Sequence, residues 1–423
     1  MSKVFALVDC NNFYASCEKL FRPDLRDTPI LVLSNNDGCV VARSKEAKKL
    51  GIKMGVPVFQ IKDQIRQHNI QTFSSNYALY ADLSSRVMRT LERFSPRVEV
   101  YSIDEAFLDL TGFGPVVSLL EHGQEIKKII EQWTGIGVCV GIAPTKTLAK
   151  LANHAAKKYP ATGGVVDLTS HQRQQRLLAI TPASDVWGVG RKLTKRLENI
   201  GVKTALDLAN CSHATIRSLF SIVLERTVRE LNGESCLELE EVPATKQQIM
   251  CSRSFGTKIT KLEQMREAIS QYTARASEKL RQEKQQAKVI TVFVQTSPFN
   301  ASQEAYSNSA TGELILPSDD TRDLNELAMQ LLKRIWREGY SYNKGGVMLS
   351  DFYDQNTYQP GLFDDVTKRP NSTKLMAVLD EINQSGLGRV FLARQGMNSA
   401  WSMKREHLSP AYTTRWTDLP TVR

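Results

Sequence analysis

The sequence predicts a multidomain chain in which an α/β region and an α+β region are joined by a wholly helical segment. Three observations carry this. The chain has 423 residues, enough for about two to four domains. Short apolar β-runs alternate with helical stretches over residues 1–170, as in a layered α/β domain. From residue 246 the elements run β-α-β-β-α-β, the split βαβ arrangement.

In chain order, Val4 to Val8 is an apolar strand that ends at Asp9, and the following NNFYASCE is a turn entering a helix. Ile30 to Leu33 is a second strand, broken by SNNDG. Residues 40–66 are basic, with seven Lys or Arg against two acids. Leu83, Val87 and Leu91 recur every four residues and mark a helix over 82–94. VEVY at 98–101 and FLDL at 107–110 are strands, with Ser102-Ile103-Asp104-Glu105-Ala106 between them or at their ends. Val138 to Ile142 is a strand, Thr145 begins a helix after Pro144, and Val165-Val166 is the last strand around a single sheet. Residues 171–235 are helical with Gly-punctuated turns, and the Glu-rich stretch 236–245 is a linker. Strands are expected at 249–255, 288–295, 312–316 and 345–352, and helices at 261–285 and 320–338. The polar remainder carries one helix, Ser372 to Asn383.

Composition narrows the function. Hydrophobic residues are 41% and charged residues 24%, which excludes wholesale disorder and fibrous architectures. A net charge of +10 and a pI near 9.2 suit a polyanionic partner. No apolar run is long enough to span a bilayer. The N-terminus is too short in apolar residues for a signal peptide. The seven Cys are scattered without a CxxC pair, the pattern of reduced thiols in a cytoplasmic protein. With six scattered His, any bound metal must be held by carboxylates.

Asp9, Asp104 and Glu105 stand at strand ends beside an apolar core, where carboxylates are costly unless paired or metal-bound. Two readings are open. Converging, they can hold Mg²⁺, and two such ions stabilise the attacking and leaving oxygens of a phosphoryl transfer. Apart, Asp9 caps a helix and Asp104-Glu105 form a solvated hairpin turn. Lys146, Lys150 and Lys157 share one face of their helix. They can lie beside a triphosphate or form a solvated face. GIAPTKT lacks Walker A spacing, which argues against a P-loop ATPase.

VDCNNFYASCE at 8–18, SNNDGCVVAR at 34–43, YSIDEAFLDLT at 101–111 and GIAPTKTLAKLANHAAKK at 141–158 together resemble the Y-family translesion DNA polymerases. Within that family the match is to the UmuC type, the catalytic subunit of bacterial DNA polymerase V. The resemblance extends to the tail motif AYTTRWTDLP at 411–420. It implies a right-hand polymerase with a palm at 1–20 and 79–170, and fingers at 21–78. It further implies a thumb of helix-hairpin-helix type at 171–235, a linker at 236–245, a little finger at 246–353 and a partner-binding tail at 354–423.

The resemblance also implies roles. Asp9, Asp104 and Glu105, with the Cys10 backbone carbonyl, would hold two Mg²⁺ ions. Tyr14 falls at the steric-gate position; an aromatic ring five residues after the metal-binding Asp can pack under the incoming sugar, or can simply be a core aromatic. Phe13, Lys45, Lys48 and Lys157 would meet the triphosphate, although Lys45 stands where other branches often carry Tyr.

The turn Trp187-Gly188-Val189-Gly190-Arg191-Lys192 opens a helix. Gly188 and Gly190 let backbone N–H groups approach a DNA phosphate, with Arg191 and Lys192 beside them. Between 246 and 295 ten Lys or Arg oppose four acids, and Arg253 lies near a strand end. Such a sheet can follow duplex backbone, or its basic helix can be a solvated face. Gln359, Leu362 and Phe363 resemble the bacterial sliding-clamp motif Q-x-x-L-F.

The expected function is therefore error-prone, template-directed translesion synthesis in the SOS response, without proofreading. The expected partners are primer–template DNA, dNTPs, a processed UmuD-like dimer, RecA and the β sliding clamp. The expected location is cytoplasmic, on the nucleoid after DNA damage. The rival reading is a non-catalytic DNA-binding subunit that arrests forks, which has no need of all three acids. A palm-fold nucleotidyl cyclase has no use for a duplex clamp.

Overall fold

The computed structural model describes residues 3–114, 116–240, 244–299, 304–355, 357, 369–385, 388–396 and 400–419. The chain divides into two compact units. The first takes residues 1–34, 38–243 and 407–423; the second takes 35–37 and 244–406.

The first unit holds β1 (Phe5–Cys10), β2 (Ile30–Leu33), β3 (Val40–Arg43), β4 (Gln71–Ser74), β5 (Val98–Val100), β6 (Glu105–Asp109), β7 (Val138–Ala143) and β8 (Val165–Asp167). These form two sheets, not the single one expected. The larger has the order β5-β6-β1-β7-β8, and the smaller has the order β3-β2-β4. The smaller sheet escaped the sequence reading because β3 and β4 are four residues each and lie at the ends of a basic, polar stretch. It has its own core of Leu31, Leu33, Val40, Ala47, Ile52, Ile61 and Ile70.

The central strands β1 and β7 are buried along their whole length. The helix Lys146–Lys158 packs on the larger sheet, and Gly141 on β7 makes room for it. A Cβ at Gly141 would come within 2.2 Å of the Asn153 backbone nitrogen. Asn153 is itself buried and its side-chain amide donates to the carbonyls of Leu7 and Cys139, at 3.2 and 2.7 Å. One polar side chain thus ties the helix to β1 and β7 at once.

The helical segment is anchored by buried acids. Glu230 is fully buried and accepts from the backbone N–H groups of Thr147, Cys236 and Leu237 at 2.9, 2.8 and 3.1 Å. Glu99 pairs with Lys146 and accepts from the Glu240 N–H at 2.7 Å. The stretch 236–240, expected as part of a linker, is therefore docked on the first unit. Glu230 is tolerated this deep because each of its two oxygens is given a donor.

The second unit is an antiparallel sheet of β9 (Gln248–Ile259), β10 (Gln285–Thr296), β11 (Ser307–Ser318) and β12 (Tyr342–Asp354), in the order β11-β10-β12-β9. Helices Leu262–Gln282 and Thr321–Ile335 cover one face, as the split βαβ pattern requires. The strands are longer than expected because their ends alternate buried with solvent-facing polar residues, which carry no continuous apolar signal.

The helix expected near the C-terminus spans Ser372–Gln384 and belongs to the second unit. The chain then returns to the first unit. Ser74 donates its N–H to His407 O at 2.9 Å, and Leu408 bridges to Ser74 in parallel fashion. Tyr412 stacks on Phe21 with centroids 4.6 Å apart. The expected single tail is thus shared between both units. All seven cysteines are free thiols. Among the described residues no helix is long and apolar enough to cross a membrane.

Candidate active site

The site grows from strand register. β1 and β6 run antiparallel, and their register sets Asp9 opposite Glu105. Glu105 is thus the first residue of β6 rather than part of the connection before it. Asp104 lies just outside the strand. Its carbonyl accepts from the Cys10 N–H at 2.9 Å, which pins the loop to the end of β1. Ser102 donates its hydroxyl to Asp104 Oδ1 at 2.7 Å and accepts from the N–H groups of Asp104 and Glu105 at 3.2 and 3.0 Å. Ser102 therefore orients the Asp104 carboxylate. The Ser-x-Asp spacing was a visible signal for it.

Three of the four lysines of the Lys146–Lys158 helix each meet an acid of the larger sheet. Lys146 pairs with Glu99, Lys150 with Glu105 at 2.8 Å, and Lys157 with Asp9. The helical spacing of the lysines matches acids carried by three adjacent strands, β5, β6 and β1. They do not form a solvated face.

Electrostatics divides the two facing acids. Burial pushes the Asp9 carboxyl up, against the Lys157 ammonium and with the help of a hydrogen bond to Glu105. Burial also acts to raise Glu105, but the hydrogen bond from Asp9 and the charge of Lys150 outweigh it and hold Glu105 below its ordinary value.

A cavity of about 370 Å³ opens beside Asp9. Asp9, Cys10, Phe13, Tyr14, Lys48, Asp104 and Lys157 line it, so seven of the expected residues converge. Glu105, facing Asp9 across the strand pair, is not among the lining residues, and neither is Lys45, which is exposed at the start of the helix Lys45–Lys49. Asn12 and Arg43 also line the cavity and were not anticipated. Asn12 has φ 50° and accepts from Lys48 through its side-chain oxygen. Its left-handed backbone, which Asn tolerates better than most residues, turns the chain from β1 into the helix Phe13–Leu20. Burial, and then the positive charges of Arg43 and Lys157, hold the Lys48 ammonium below the usual lysine range. The Tyr14 ring stacks on Tyr80 with centroids 4.4 Å apart and meets Tyr77 edge-on at 6.3 Å. It is a braced wall that remains partly exposed.

The donors fit a hard divalent cation in kind, since all are oxygens. Among the described residues no three His, Cys, Asp or Glu form a ready-made metal cage.

The Trp187–Lys192 turn also belongs to the first unit. Gly188 has φ +88°, a conformation that favours glycine. No atom lies within 4 Å of where a Cβ would stand on Gly188 or Gly190, so the backbone there is open to a phosphate. Arg191 and Lys192 are exposed at the start of the helix Arg191–Glu198. Arg253 is exposed on β9 in the second unit and donates to Ser252 O at 2.8 Å. Gln359, Leu362 and Phe363 lie outside the described residues.

The chain is similar to known proteins over most of its length. Residues 8–154 match the impB/mucB/samB family and residues 246–362 match its C-terminal domain. Residues 373–422 match a domain of unknown function. The chain is 56% identical to Protein UmuC and 54% identical to Protein ImpB, both of Salmonella typhimurium, over 99% of this chain and 100% of each relative. It is 49% identical to Protein MucB of Escherichia coli over 99% of both chains. A chimaeric Y-family DNA polymerase structure superposes with a TM-score of 0.65 at 22% identity, covering 83% of this chain and 99% of that one. The insertion ternary complex of Dbh DNA polymerase superposes at 0.55 and 21% identity, over 83% and 99%. The fold is therefore that of the Y-family polymerases, and the chain belongs to the impB/mucB/samB family.

Proposed function

We propose that Asp9, Asp104 and Glu105 form the catalytic centre of template-directed DNA synthesis in this chain. The chain is an error-prone translesion DNA polymerase of the DNA-damage response, and its substrates are primer–template DNA and deoxynucleoside triphosphates. The observation that carries the site is the convergence of Asp9 and Asp104 with Lys48, Lys157 and Tyr14 on one cavity, with Glu105 in register beside Asp9.

In the reaction the primer 3′-OH oxygen bonds to the α-phosphorus of the dNTP, the bond to the β-phosphate oxygen breaks, and pyrophosphate leaves. Asp9, Asp104, Glu105 and the Cys10 carbonyl would hold two Mg²⁺ ions, whose chemistry is to offset the charge on the transferring phosphoryl group. Lys157 and Lys48 supply positive charge to the triphosphate on the cavity wall. Phe13 and Tyr14 shape its floor, with the Tyr14 ring against the sugar. Lys45 is left to the outer surface.

The surrounding regions follow. Residues 1–20 and 79–170 serve as palm, 21–78 as fingers, 171–235 as thumb and 246–353 as little finger. Gly188, Gly190, Arg191, Lys192 and Arg253 contact DNA backbone, which gives affinity without reading sequence. Gln359, Leu362 and Phe363 bind the β sliding clamp, and the tail meets a processed UmuD-like dimer and RecA. A non-catalytic fork-arrest subunit is disfavoured, since such a protein would not need Asp9 and Asp104 on one cavity with Glu105 in register beside Asp9.

Primer extension on plain and lesion-bearing templates tests the reading. Mg²⁺-dependent, template-directed extension past the lesion is expected, with synthesis lost on adding chelator. Absence of extension by pure protein supplied with the expected partners would overturn it.

A further inference from the structure

Lys150 sits in an aromatic corner. Its ammonium is 4.3 Å from the Tyr101 ring centroid and 5.1 Å from that of Trp187, on the same side chain that reaches Glu105 at 2.8 Å. The two rings meet edge to face, 5.6 Å apart at 88°. Both rest on the fully buried Phe107, with centroids 5.7 and 6.3 Å away.

The corner joins three separate elements. Tyr101 follows β5, Lys150 lies on the helix Lys146–Lys158, and Trp187 immediately precedes Gly188. Trp187 is itself held in place. Its neighbour Val186 and the nearby Val189 are 3% and 6% exposed, and the Val189 N–H donates to Val186 O at 3.0 Å. A lysine stem is flexible and its ammonium strongly hydrated, so one ion pair fixes it poorly. Two ring faces restrict it to the Glu105 side and shed part of its water.

We propose that Trp187 is a positioning residue: it holds the Lys150 ammonium against Glu105 and so couples the open Gly188–Gly190 turn to the catalytic carboxylate. The inference rests on reading Glu105 as a catalytic acid. Nothing in the spacing of the sequence connects Trp187 with Glu105; the packing of the helical segment on β6 brings them together.

The test compares Trp187→Phe, which keeps a ring face, with Trp187→Leu, which keeps apolar bulk without one. Both are made in the full-length chain, with Lys150→Met and the double variant Trp187→Leu/Lys150→Met alongside. Mn²⁺ binding in the presence of primer–template is read from the free-ion paramagnetic signal, and single-turnover incorporation is read in parallel. Trp187→Leu is expected to weaken Mn²⁺ binding and slow incorporation by about threefold to thirtyfold, the scale of a partly desolvated cation–π contact. Trp187→Phe should recover most of both, and the double variant should be no worse than Lys150→Met. Parent-like Mn²⁺ binding by Trp187→Leu, equal impairment of the Phe and Leu variants, or losses that multiply in the double variant would each overturn the proposal. Failure of the underlying site reading would show separately, as parent-like extension by Glu105→Ala.

Discussion

Ser409 donates its hydroxyl to Glu18 at 3.1 Å, across 391 residues of chain. Glu18 is fully buried and also accepts from the Tyr80 hydroxyl at 2.6 Å, while its second carboxylate oxygen has no partner. Asn76 donates its side-chain amide to Ser409 Oγ at 2.9 Å. The C-terminal part of the segment that matches a domain of unknown function therefore closes over a buried acid of the first unit.

Burial, opposed by the hydrogen bonds from Tyr80 and Ser409, pushes the Glu18 carboxyl from its ordinary value up to about 7. The sign follows from linkage. The folded protein holds this proton more tightly than the unfolded chain, so the associated stability is full below the ordinary carboxyl value of 4.5 and is lost as pH rises to about 7. The loss is about 3 kcal/mol at ~1.4 kcal/mol per pH unit. Glu18→Gln should remove this part of the pH dependence. Denaturant midpoints of parent and variant at pH 5 and pH 8 check it; identical pH dependence in both would contradict it.

Much of this fold was legible because its elements carry strong local patterns. The apolar run of β1, the four-residue recurrence of Leu83, Val87 and Leu91, and the β-α-β-β-α-β order all reappear in the structure. The smaller sheet was not legible, since β2 pairs with β3 and β4 through short strands without alternation. Asp9 and Asp104 were visible as acids at strand ends, and four ordered motifs tied them to a family. The partners of Lys146, Lys150 and Lys157 were not visible, because ion pairs between a helix and three strands depend on packing that sequence spacing does not encode. The return of His407 and Tyr412 to the first unit was hidden for the same reason.

Tyr14 leans on Tyr80 and shares the cavity with Asp9 and Asp104. Tyr14→Ala should raise ribonucleotide incorporation relative to deoxyribonucleotide by about tenfold or more, the scale on which a pocket senses one small group. Parallel single-nucleotide insertion with rNTP and dNTP measures it. Unchanged sugar discrimination would make Tyr14 a packing residue.

Leu362 and Phe363, replaced together by Ala, should leave distributive synthesis on short primers intact and remove stimulation by loaded clamp. Burying two such side chains contributes about 3–5 kcal/mol before ordering costs of roughly 1–2 kcal/mol per residue, so the docking is expected to be weak. Extension with and without loaded clamp reads the effect. Equal stimulation of variant and parent would leave Gln359–Phe363 an ordinary loop.

The most direct test of the catalytic assignment is nucleotide addition by Asp104→Ala. The substitution removes a carboxylate oriented by Ser102 while leaving the Gly188–Gly190 turn and Arg253 untouched. Single-turnover incorporation should fall by at least about a hundredfold to a thousandfold, the scale of losing one electrostatic stabiliser of the transition state. Primer–template affinity should stay close to that of the parent. Undiminished incorporation by pure Asp104→Ala protein would contradict the account.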